Sequence, residues 1–148
     1  MDAHYYNVDV NWSQKHKGIM CSPELNIDTQ NCIEVATPPE FSKGIPGIWS
    51  PEHLFTASVS SCFMTTFLAI AENSKLEFSS FNCKSKGKLE QIEGKYSITE
   101  VILEPTVTIV NAKDTERASR ILQKSEAACL ISNSIKSKVI MIPRIKLS

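Results

Sequence analysis

The sequence predicts an α+β fold with mostly antiparallel sheet, and three observations carry that prediction. Segments near the N-terminus and through the middle of the chain alternate apolar and polar residues at the period of strands. Two segments instead follow helical periodicity, one of them apolar nearly all round. The elements run in the order strands, helix, hairpin, helix, strand, which is not the alternation of a βαβ unit. The 148 residues are one domain's worth, 1–148, with no repeat or linker.

Tyr6, Val8, Val10 and Trp12 alternate with polar residues and predict a half-buried strand. Gln14 to Gly18 reads as a cation-rich turn with Lys15, His16 and Lys17. Ile19 to Ala36 fits one or two short strands. Pro38, Pro39, Gly44, Pro46 and Gly47 mark Thr37 to Trp49 as a loop. Ser50-Pro51-Glu52 is a helix start: a capping hydroxyl, a proline at the first helical position and an acid facing the dipole. The helix that follows, Leu54 to Ala71, needs cover on every side. Its most apolar stretch, Phe63 to Ala71, is too short to span a bilayer. Period two returns from Phe78 to Val110, with a hairpin signal at Glu93-Gly94 and an edge or bend at Pro105. A second helix begins near Asn111 or Asp114, with the stripe Ala118, Ile121, Leu122, Ser125, Ala128 and Cys129. Val139 to Leu147 is the last strand and carries Pro143.

Composition narrows the function classes. Sixteen basic and sixteen acidic residues balance, and no basic stripe points to nucleic acid. MDAHYYNVDV has no basic segment leading into an apolar one, so a chain that remains in the cytoplasm, off the membrane, is expected. There is no GxGxxG or Walker motif. His4, His16 and His53 are scattered and no CxxC or HExxH occurs, so no metal is expected. Ser58, Ser60 and Ser61 lie near His53 without the GxSxG elbow of a hydrolase.

Five cysteines remain: Cys21, Cys32, Cys62, Cys83 and Cys129. An odd count without an export signal argues for reduced thiols. Cys21, Cys32 and Cys83 fit strand positions as inert filler. Cys62 and Cys129 differ, because each sits on a helix expected to be central. Facing cysteines on two packed helices form a reversible disulfide when their Cα atoms fall within about 7 Å.

Trp49-Ser50-Pro51-Glu52-His53-Leu54-Phe55, running on to Ser61-Cys62-Phe63, resembles the start of the central helix in the OsmC/Ohr family. Ser125 to Ser134, around Cys129, resembles that family's second cysteine segment, and the Pro38-Pro39-Glu40-Phe41 loop also fits. The resemblance covers nearly the whole chain. It implies mostly antiparallel sheets around two central helices, in an interlocked homodimer. It implies a peroxiredoxin-like peroxidase that reduces organic hydroperoxides, with Cys62 attacking and Cys129 resolving.

Such chemistry needs no bound cofactor. An external dithiol, small or carried by a protein such as a lipoyl protein, would restore the thiols. Phe55, Phe63 and the proline loop are candidates to line an apolar substrate site. Cys62 lies about ten residues inside its helix, beyond the reach of the dipole, so a cation is expected to stabilise its thiolate. In the family an arginine does this, held by the glutamate that Glu52 matches. The arginines here are Arg117, Arg120 and Arg144, none in that loop, which leaves Lys15, His16 or Lys17. On a straight helix Glu52 and Cys62 stand about 15 Å apart on different faces, unless the helix breaks near Ser58 to Ser61. Two other readings remain open: a non-catalytic binding protein, and a redox-sensing disulfide exchanger.

Overall fold

In the computed structural model, residues 2–25 and 31–148 are described. They group into two compact units, Met1–Leu54 and Phe55–Ser148.

The first unit is built on a three-stranded antiparallel sheet in the order β1-β2-β3: Asp9–Gln14, Lys17–Cys21 and Ile33–Ala36. Residues 26–30, inside the stretch expected to hold short strands, lie outside the described residues. β1 differs from its expectation: alternation predicted one buried face, yet the whole strand is exposed, with Trp12 at 78%. Lys15 turns the chain with φ 49°, and its carbonyl accepts the Trp12 indole N–H at 2.8 Å. The loop after β3 closes tightly. A Cβ on Gly44 would stand 1.9 Å from the Pro38 carbonyl oxygen, so only glycine fits there.

Cys21 and Cys32 are joined by a disulfide, which corrects the expectation of two inert thiols. The cause is register. Met20 pairs with Ile33 across β2 and β3, so the next pair along the ladder is Cys21 and Cys32.

Helix α1, Pro51–Asn73, begins in the first unit and belongs to the second from Phe55 onward. Its start follows the sequence signal: Ser50 Oγ accepts the His53 backbone N–H at 3.1 Å and caps the helix. At 23 residues it has the length and apolar composition of a membrane-crossing helix. Its Val59, Phe63, Phe67 and Ala71 face is instead buried in a protein core.

The second unit is a sheet with α1 and α2 (Thr115–Ala128) sharing its core. β4, Phe78–Ile92, and β5, Lys95–Ile109, form a long hairpin. Its turn is Glu93-Gly94, as the sequence signalled, with φ of 51° and 79°, the type I′ geometry. Gly87 of β4 faces α1, where a Cβ would meet Thr56 Oγ1 at 2.4 Å. Val101, Leu103, Val107 and Ile109 of β5 pack under the helices. Phe67 stacks on Phe81 at 4.8 Å and meets Phe78 edge-on at 5.3 Å. On α2, Ala118, Ile121, Leu122 and Ser125 are buried as the stripe predicted, while Ala128 is exposed.

The expected last strand is two strands, β6, Lys138–Met141, and β7, Arg144–Leu147, both parallel to β5. Pro143 divides them, and Pro105 explains the gap. Leu103 accepts the Ile142 N–H at 2.8 Å and Ile109 accepts that of Ser148 at 2.9 Å, so odd-numbered residues of β5 point toward these strands. The N–H that Pro105 lacks would point the same way, where β6 has ended and β7 has not begun. Pro105 is therefore at neither an edge nor a bend. It lies inside the central strand, fully buried, opposite a break in its neighbour.

Two outcomes follow. Intact-mass analysis of unfolded, unreduced protein after alkylation should show three modified cysteines, and five after reduction. Five without reductant would show that Cys21 and Cys32 are not bonded. Phe67→Ala should cost about 3–5 kcal/mol in urea unfolding, because a fully buried ring leaves a cavity.

Candidate redox site

Cys62 and Cys129 are the predicted site residues that the structure brings together. Cys62, on α1, is half-buried; Cys129 is fully buried. They are close enough for each to shift the other's acidity. Cys129 is not on the second helix, as expected, but caps its end. The helix stops at Ala128 and Cys129 leaves with ψ 115°, an extended conformation. A tight turn over Leu130 to Ser134 follows.

The geometry drives the two thiols apart in acidity. Burial pushes Cys62 up, but four donors outweigh it and bring it below the ordinary thiol value. They are the Ile131 N–H, the Cys129 thiol, the Thr66 hydroxyl (4.0 Å away) and the Leu130 N–H. Each favours the thiolate, because hydrogen bonds to a charged acceptor are the strong ones. Burial raises Cys129 above the ordinary value. Ser132 opposes that rise, first through its hydroxyl and then through its backbone N–H. The bond to Cys62 and the charge there push Cys129 further up. Of the pair, Cys62 is thus the stronger acid and Cys129 the weaker.

These donors were missed by a sequence argument that asked for a cation. Thr66 had a legible signal, since residues four apart share a helix face. The turn was legible too, in the Ser132-Asn133-Ser134 cluster.

Lys15, His16 and Lys17 lie in the first unit. Lys17 Nζ is 3.3 Å from Glu34 Oε2, so its charge is engaged across the β2–β3 pair. Glu52 lies in the first turn of α1, which runs without a break through Ser58 to Ser61. Within the first unit, Glu52, His16 and Lys17 line an open cleft of about 810 Å³ with Trp12, Val35 and Phe41. Pro38, from the proline loop, lines it as well. Phe55 is partly buried against the core of the second unit. Phe63 is fully buried and packs on Phe81 at 6.1 Å, so it serves the core and has no surface to offer a substrate.

Ser58, Ser60 and Ser61 each donate to the carbonyl three residues back, at 2.7, 3.3 and 3.4 Å. His53 Nδ1 instead lies 2.7 Å from the buried Ser50 hydroxyl. Cys83 is half-buried, and burial raises its thiol. Among the described residues no group of three His, Cys, Asp or Glu side chains is placed to hold a metal.

The uncharacterized protein YmaD of Bacillus subtilis (strain 168) is 22% identical over 142 residues, covering 94% of this chain and 91% of that protein. The structure of an OsmC-like protein of unknown function from Vibrio cholerae matches with a TM-score of 0.83 at 21% identity. That match covers 95% of this chain and 99% of the other. An organic hydroperoxide resistance protein from Elizabethkingia anophelis matches with a TM-score of 0.76 at 20% identity over 99% of both chains. At these identities the solved structures establish the fold. The sequence profile of the OsmC-like protein family matches residues 44–142, from before α1 through both Cys62 and Cys129 to the end of β6, and on that ground the chain belongs to this family.

Proposed function

We propose that this chain is a thiol-dependent hydroperoxide reductase that cycles through a Cys62–Cys129 disulfide. The observation that carries the reading is the pairing of the two thiols, which act on each other's acidity, with Cys62 the stronger acid and Cys129 the weaker. Membership of the OsmC-like family supports it, as does a fold shared with an organic hydroperoxide resistance protein.

The Cys62 thiolate attacks the distal oxygen of the peroxide. The O–O bond breaks, a proton goes to the departing alkoxide, and an alcohol and a Cys62 sulfenic acid result. Cys129 then attacks the Cys62 sulfur, water leaves, and the disulfide forms before further oxidation. The proton that Cys129 shares with Cys62 in the resting pair is one that it must lose in this step. An external dithiol reduces the disulfide by two exchanges and is itself oxidised to a disulfide. The cytoplasm, the proposed setting, supplies such dithiols.

A second copy of the chain is the proposed partner. Trp12 and Val10 leave β1 open, and Met64 and Leu68 leave the outer face of α1 open at about 40% exposure. Exposed apolar residues on two separate elements suit burial in a homodimer.

Cumene hydroperoxide should be consumed by the wild type with dithiol present, and Cys62→Ser should abolish turnover. Cys129→Ser should allow one turnover and then stall as an over-oxidised Cys62. Alkylation should reach Cys62 at a pH below the ordinary thiol range and Cys129 only above it, the order that the opposite shifts require. Wild-type rates in Cys62→Ser would end the proposal. Light scattering coupled to size exclusion should give twice the 16.5 kDa chain mass; a monomer at micromolar concentration would refute the dimer.

A further inference from the structure

The donors on Cys62 are held by a structure of their own. Beyond Cys129 the chain folds back, with the Asn133 N–H on the Cys129 carbonyl at 3.1 Å and the Ser134 N–H on that of Ile131 at 2.9 Å. The Asn133 side chain reaches further. Its Nδ2 donates to the Ala127 carbonyl at 3.3 Å, one of the last-turn acceptors of α2 that have no partner inside the helix. Ser134 Oγ donates to the Leu130 carbonyl at 2.7 Å. The peptide that carries the Ile131 N–H is thus gripped at its carbonyl, and the whole turn is tied to the end of the helix. Consecutive N–H groups in such a turn suit a negative charge, and those of Leu130 and Ile131 both act to lower Cys62.

We propose that Asn133 is a positioning residue for Cys62: by tying the end of α2 to the turn after Cys129, it aims the Leu130 and Ile131 N–H groups at the Cys62 sulfur. The resolving segment thereby sets the reactivity of the attacking thiol. This deepens the hydroperoxide-reductase reading and rests on it for the role given to Cys62. The positioning itself is a property of the thiol and is measured without peroxide. Hydrogen bonds weaken steeply with angle, so a turn released from Ala127 loses its hold on the sulfur.

Leu130 gives an independent handle. Its side chain is 66% exposed, so Leu130→Pro removes the N–H with little change in packing. Cys129 already has the extended conformation that a following proline demands. The experiment follows iodoacetamide labelling of Cys62 against pH by peptide mass in the full-length protein, with circular dichroism to establish folding. Leu130→Pro and Asn133→Ala should each raise the labelling midpoint by about one pH unit, equivalent to about tenfold slower labelling below it. Leu130→Ala keeps the N–H and should leave the midpoint in place. Asn133→Leu keeps the size and loses the donor without adding a charge, and it decides the matter if Asn133→Ala does not fold. An unchanged midpoint in either folded donor-deficient variant overturns the proposal, as does an equal shift in Leu130→Ala. A wild type with a low midpoint that consumes no cumene hydroperoxide removes the enzyme reading and leaves the positioning role standing.

Discussion

The packing of α1 on β5 sets the position of everything that matters in the second unit. Val59, Phe63, Phe67 and Ala71 recur every four residues and drive one face of the helix into the core. A residue one place away is turned by about 100°. Cys62 and Thr66 each precede a core phenylalanine, so the buried face places both at its margin, half-buried and four residues apart. A thiol there is reachable from outside and still close enough to the interior to meet Cys129. Gly87 contributes to the same constraint, since the absence of its Cβ lets β4 approach Thr56 on the helix.

What was legible in the sequence is what local chemistry decides. Ser50-Pro51-Glu52 announced α1, Glu93-Gly94 announced the hairpin, and the stripe from Ala118 to Ser125 announced α2. Each depends on residues within a turn or two of one another. The misreadings lie where distant partners decide. The Cys21–Cys32 bond follows from the register of two strands, which no count of cysteines contains. Pro105 read as an edge because its neighbour strand, and the break in it, lie more than thirty residues further along the chain. Cys129 read as helical because the apolar period continues one residue past the end of the helix itself. At the site, the motifs identified the two cysteines, while two of the four donors to Cys62 are backbone N–H groups. Nearly every residue carries one, so composition bears no trace of them.

A thiolate stabilised by neutral donors differs from one stabilised by a cation. A lysine or arginine brings a charge that salt screens and a neighbouring acid can claim, as Glu34 claims Lys17. Backbone donors bring no net charge and follow the fold. Their effect on Cys62 is lost only if the turn moves. The turn begins at Cys129, so the proposed disulfide would also alter the surroundings that hold Cys62 below the ordinary thiol value. In the proposed cycle, acidity and resolution are therefore two properties of one short segment.

The two prolines of the second sheet bear on how it assembles. β6 and β7 run parallel to β5 and carry only four paired residues each, so their ladder bonds alone discriminate weakly between alignments. A shift of either strand toward the gap would set a carbonyl against Pro105, which has no proton to give, or set Pro143 where a donor is required. Misaligned pairings are thus penalised by the backbone itself, before side chains have packed. The gap thus helps to fix a single register for two strands too short to fix it by their own ladder bonds.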